Sequence, residues 1–222
     1  MNSKIRVAVL IACVAAATKA RAQFCELERI SAHSEGEGVS AEFSSVDTSS
    51  CDLGIETIVH VDGALGLVAI EDECGRRGHP SSTTEMTEQI NTVNVVVSVY
   101  DHCLDAELLH ASATGPADDL HLAQNFKTAS LLATLKGVDD ADQPVTVAVD
   151  LVWTGVGHPE HDGDHVNDGG GTIVRFRYES SGTMRDAVAS GTVTVDGVDE
   201  TPEPSTQGTI ERNASRSFTE YR

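Results

Sequence analysis

The sequence predicts an all-β protein: an antiparallel β-sandwich, Ig-like or jelly-roll-like, with about ten short strands and little helix. Three observations lead there. Period-two alternation of apolar and polar residues recurs along the chain, while helical periodicity is scarce. The apolar runs are short and separated by closely spaced turn-forming residues. Aromatic residues make up only 4% of the 222 residues, so the core has to rest on Val, Leu, Ile and Ala.

The elements follow in chain order. Val39 to Val46 alternates through Val39, Ala41 and Phe43. Ile55 to Val61 and Leu65 to Ile70 flank Asp62-Gly63, a hairpin signal. Val93 to Tyr100 is a β-branched run, and Glu107 to Ala113 is a shorter candidate. In Ala129 to Leu135, residues Ala129, Leu131, Ala133 and Leu135 can face inward together, although Ala and Leu also favour a helix over Phe126 to Leu135. A turn-rich stretch from Gly137 to Pro144 joins this run to the clearest strand of the chain, Val145 to Trp153. There Val145, Val147, Val149, Leu151 and Trp153 share one face, with Thr146, Ala148, Asp150, Val152 and Thr154 on the other. Trp153, the sole tryptophan, is the expected core anchor. Ile173 to Tyr178 puts Val174, Phe176 and Tyr178 opposite Arg175 and Arg177, and Val188 to Val195 ends at Asp196-Gly197. Asp199 to Pro204 reads as a connector, and Ser205 to Phe218 as one or two short edge strands.

The amino terminus sets the compartment. Residues 1–22 carry Lys4, Arg6, Lys19 and Arg21 and no acid, around an apolar run of 11 residues from Val7 to Ala17, ending at Ala20-Arg21-Ala22. A membrane-spanning helix needs about 20 apolar residues, so this segment reads as a secretory signal peptide rather than an anchor. Leu10-Ile11-Ala12-Cys13 looks like a lipobox, but Val14 to Ala17 continues the apolar run, so Cys13 reads as part of the signal and not as a lipidation site. The expected mature chain, residues 23–222, is a secreted or periplasmic single domain without a membrane span. All 35 acids but only 11 of the 15 bases follow residue 22, a formal charge of −24. Such a surface disfavours nucleic acid and anionic membranes as partners and leaves a small ligand or an extracellular partner.

Four cysteines remain after the signal: Cys25, Cys51, Cys74 and Cys103. An even count in an exported chain reads as two disulfides, with three connectivities open. The spacings of 26, 23 and 29 residues contain no CxxC pair, which disfavours a zinc or thioredoxin-like site. All four lie in the first half, residues 23–103.

Chemistry could concentrate in one place, the polar stretch from Gly157 to Gly171 after the Trp153 strand. His158, His161, Asp162, Asp164, His165 and Asp168 could offer nitrogen and oxygen ligands to a divalent metal. Pro159, Gly163 and the Gly169 to Gly171 run oppose the helix on which His158, His161 and His165 would share a face. An EF-hand fails, because Val166 and Asn167 stand where a ligand and the invariant Gly belong. A solvated loop that serves solubility is the favoured reading, with metal binding the alternative and no cofactor otherwise called for. Arg175, Arg177 and Arg185 form the basic patch; surface charge pairing is weighed there against a carboxylate-binding groove. No Gly-x-Ser-x-Gly or His-Glu-x-x-His motif is present, so an enzyme is not expected, and a hydrolase or lyase with an unrecognised site stands third.

Ala41-Glu42-Phe43-Ser44-Ser45-Val46-Asp47 followed by Cys51, together with Tyr100-Asp101-His102-Cys103, Asp150 to Gly157 and Ala189 to Val193, resembles a group of uncharacterised secreted proteins over roughly residues 39 to 220. These motifs are structural rather than catalytic. The resemblance implies a Cys51–Cys103 disulfide, which leaves Cys25 to pair with Cys74. The heavy acidity and the His-rich acidic stretch depart from that group. The resulting expectation is a non-enzymatic exported protein with a binding or structural role.

Overall fold

The structure, a computed structural model, describes residues 27–49, 52–76, 79–168, 174–202 and 205–221. It is all-β: the strands are β1 (Leu27–Asp47), β2 (Ile55–Arg76), β3 (His79–Asp101), β4 (Ala106–Gly115), β5 (Asp119–Leu122), β6 (Thr128–Asp139), β7 (Pro144–Gly155), β8 (Glu160–Asp168), β9 (Val174–Val195), β10 (Val198–Asp199) and β11 (Ser205–Tyr221). All pairings are antiparallel and all 11 strands join one sheet. Successive ladders run β9-β11-β1-β2-β3-β4-β6-β7 and return from β7 to β9, so the hydrogen-bonded path closes on itself.

Alternation explains what fills the closed part. Phe43 and Val39 from β1, Val59 and Val61 from β2, Val93, Val95 and Val97 from β3, Leu131 and Leu135 from β6, and the five expected residues of β7 are buried together. Trp153 is fully buried, and its Nε1 donates to the Ser40 carbonyl at 2.7 Å. The β6 run is a strand in a hairpin with β7 and not a helix, with Ala129, Leu131 and Leu135 buried as alternation requires. Asp196 and Gly197 both have positive φ, 50° and 82°, the backbone of the tight turn expected there.

Four expectations are corrected. Asp62-Gly63 is no turn: β2 runs through it for 22 residues. A Cβ on Gly63 would lie 3.3 Å from Val39 Cγ2 and 3.5 Å from Leu120 Cδ2, so glycine here makes room for packing. The two runs around 173–178 and 188–195 are one 22-residue strand, β9. The tail forms one strand of 17 residues, β11, seated centrally between β1 and β9 rather than at an edge. The 157–171 stretch is in part a strand, since β8 pairs with β9 from Glu160 to Asp168.

The long strands have a second consequence. Beyond the closed part, β8, β9, β11, β1, β2 and β3 continue side by side as an open sheet. Cross-strand partners share a face, and so do residues two apart. The face holding Val39, Ala41 and Phe43 in the core therefore continues outward through Glu37, Glu35, His33, Ser31 and Arg29. One surface is apolar where the sheet closes and charged where it opens.

Candidate functional site

That charged continuation holds a groove of about 620 Å³. It is lined by the 31–33 segment of β1, 69–71 of β2, 85–87 of β3, Arg177 and Glu179 of β9, and 216–218 of β11. Register explains the gathering: Ser31 lies opposite Phe218 and Glu71, and His33 opposite Arg216 and Ala69. Phe218 and Arg177 are partners, as are Glu71 and Glu85. Five strands thus bring together residues up to 187 positions apart in sequence, Ser31 and Phe218.

The scarce bases collect on this face. Of the 11 Lys and Arg after residue 22, Arg29, Arg175, Arg177, Arg185, Arg212 and Arg216 lie on it by register. Several are already engaged. Arg29 Nε donates to the buried Glu220 at 3.0 Å, and Arg212 Nε donates to Glu37 at 2.6 Å while its guanidinium sits 5.1 Å from the centre of the Phe126 ring. Arg185 Nη2 donates to the Gly157 carbonyl at 2.7 Å, which ties β9 to the loop before β8. Arg177 Nη2 donates to Glu179 at 2.6 Å, and His165 Nδ1 is 3.4 Å from the same carboxylate. By contrast Arg216 on one wall, and Glu71 and Glu85 on the other, make no ion pair or side-chain hydrogen bond among the described residues. His33 Nδ1, between them, has no hydrogen-bond partner among the described residues.

The expected metal ligands are spread out. His158 lies in the loop before β8, and Asp168 ends the strand opposite Phe176. Within β8, His161 and His165 share the groove's face, while Asp162 and Asp164 belong to the opposite one. Four residues of strand separate the two histidines, about 13 Å between Cα atoms. His161 Nδ1 is 2.8 Å from Thr183 Oγ1, and Asp162 Oδ1 accepts from the Gly163 amide at 2.8 Å. Among the described residues no group of three or more His, Cys, Asp or Glu side chains is placed to hold a metal ion.

Another polar cluster occupies the outer face of the closed part. His60 Nε2 is 2.7 Å from Asp62 Oδ2, and this bond raises the His60 pKa. Glu211, folded over Gly38, is also raised, chiefly by burial. Cys74 and Cys103 are both disulfide-bonded. Cys25 and Cys51, like residues 1–22, where a signal peptide is expected, lie outside the described residues.

The sequence named Arg175, Arg177 and Arg185 but missed His33, Glu71, Glu85, Arg216 and Phe218. Only the pairing of distant strands joins them; the available signal was the rarity of bases in so acidic a chain. Compared with known proteins, the chain matches no protein-family model, no curated protein and no solved structure.

Proposed function

We propose that this is an exported, acidic β protein with a non-enzymatic binding role, and that its ligand is a small dipolar molecule carrying a carboxylate and a cationic group. The observation that carries the reading is the gathering of scarce arginines on a face grooved at Arg216, with Glu71 and Glu85 across from it. Arg216 would take the carboxylate, since a guanidinium matches that group's two oxygens. Glu71 stands two strands away and two residues along, about 12 Å between backbones, and would meet the cation. Phe218 supplies apolar surface between polar ends, as small-molecule sites commonly do. Arg177, already held by Glu179, would position rather than bind. The test is thermal stabilisation by an eight-carbon α,ω-amino acid, with the matching dicarboxylate and diamine as controls. The amino acid is expected to raise the melting temperature of wild type and not of Arg216→Gln. Equal effects of all three compounds, or an unchanged response in the variant, would overturn the reading.

The finer architecture and the cysteine pairing belong to the same proposal. The closed ladder supports a flattened barrel more directly than two separate sheets. Cys51 pairs with Cys103 and Cys25 with Cys74. Supporting this, the His102 amide donates to the Gly54 carbonyl at 3.1 Å, three residues after Cys51, and Glu28, three residues after Cys25, is the register partner of Cys74. Each bridge would close a loop of about 50 residues and stabilise by ~4 kcal/mol in the chain-entropy account. Peptide mapping under non-reducing conditions checks it: any other pairing, or a free thiol, contradicts it.

A further inference from the structure

The open sheet has two edges, and they are guarded differently. β8 carries Glu160, Asp162, Asp164 and Asp168 within nine residues, a density of charge that resists further pairing. The other edge is the first half of β3. Ser82 to Gln89 are all exposed, and on the side away from β2 the next ladder begins only at Val93 opposite Gly115. Asn91 closes that stretch: its side chain accepts from the Ala117 amide and donates to Asp118 Oδ1 at 2.6 Å. Among the described residues, Ser82 to Ile90 therefore present an unpaired strand edge, about 30 Å long. It contains no Pro, no Lys and no Gly, and four of its nine residues are Ser or Thr. The usual devices for blunting an edge are missing except for two charges, Glu85 and Glu88.

We infer that this edge docks an extended, basic segment of another exported polypeptide by β-strand addition. The ladder would supply affinity through main-chain hydrogen bonds, and the glutamates would supply selection. Glu85 shares the groove's face with Glu71, whereas Glu88 shares the opposite face with Val68. A partner strand meets both only if its basic residues stand three positions apart, pointing to opposite faces. The two residues between them lie across from Met86 and Thr87 and would be apolar or β-branched. A second copy of this chain fits poorly: it brings a formal charge of −24 to one of −24, and its β8 edge would set acid against acid. The edge shares Glu85, Met86 and Thr87 with the groove; Arg216→Gln, which alters the groove's far wall and not the edge, is expected to leave peptide binding unchanged and so separates the two.

Because a strongly anionic protein attracts any polycation, the probe has to separate pairing from attraction. It is an eight-residue peptide, capped at both ends, of sequence Thr-Thr-Lys-Thr-Val-Lys-Thr-Thr, titrated against the full mature protein. Two controls have the same charge: one with lysines two positions apart, and one N-methylated on alternate amides. The expected result is saturable binding with hydrogen-exchange protection confined to residues 82–90, weakened about tenfold or more by N-methylation. The E85K/E88K double variant, altered only at exposed positions, is expected to lose this peptide and bind the one with glutamate in place of lysine. Equal binding of all three basic peptides, protection elsewhere, unchanged binding by E85K/E88K, or self-association of the protein through this edge would overturn the inference.

Discussion

Replacing Trp153 with Ala removes the largest side chain of the core and an indole N–H that donates to the Ser40 carbonyl at 2.7 Å. Truncation of a buried Trp to Ala costs about 3–5 kcal/mol. Trp153→Phe keeps most of the packing but loses this hydrogen bond and part of the ring volume, at a cost of about 1–3 kcal/mol. Against the ~5–15 kcal/mol stability of an ordinary domain, the Ala variant should stand near unfolding at room temperature. The Phe variant should lose about 3–10 °C in melting temperature, at roughly 2–4 °C per kcal/mol for a chain of this size. Urea denaturation followed by circular dichroism measures both, since neither variant retains a tryptophan to report. Wild-type midpoints in both variants would refute the burial and the bond that place Trp153 at the centre of the core.

Further outcomes follow from other parts of the structure. Gly137 is where β6 passes closest to β4, and an added Cβ would collide with the Ser112 carbonyl and Ala113 Cβ. Gly137→Ala should destabilise by about 1–3 kcal/mol and release hydrogen-exchange protection at Ala111–Ala113; preserved protection would mean the ladder does not close there. Glu211 has its pKa raised by burial, so the folded state holds that proton more tightly and stability falls as pH rises from about 4.5. His60, raised through Asp62, contributes stability below about pH 6.5 that is lost as pH rises through its folded pKa. Glu211→Gln is therefore expected to stabilise at neutral pH, and His60→Gln to flatten the upper part of the profile; urea midpoints from pH 4 to 9 test both. Zinc titration of His161→Ala and His165→Ala should show no loss of a common stoichiometric site, and a one-to-one uptake abolished by each would contradict their placement about 13 Å apart.

What the sequence made legible depended on whether alternation had a core to answer to. β7 could be read residue by residue because every second residue from Val145 to Trp153 is buried. β8 could not, because Glu160 to Val166 are all exposed and form a strand only by pairing with β9. Asp62-Gly63 carried the composition of a turn, yet Gly63 is small to admit Val39 and Leu120. The length of the strands was hidden for a related reason. Past Val39 on β1 and Ala69 on β2 the same face turns from apolar to charged, so the pattern that marked each strand stopped before the strand did. The groove stands on that continuation, and Arg216 and Glu71 come to the same face through β1, which lies between them, rather than through any local motif.

Amide chemical-shift mapping of residues 23–222 with the eight-carbon α,ω-amino acid tests the central claim most directly. The account predicts saturable shifts confined to five separate segments, around residues 31–33, 69–71, 85–87, 177–179 and 216–218, and lost in Arg216→Gln. Absent shifts, or shifts scattered over the acidic surface and retained in that variant, would contradict it.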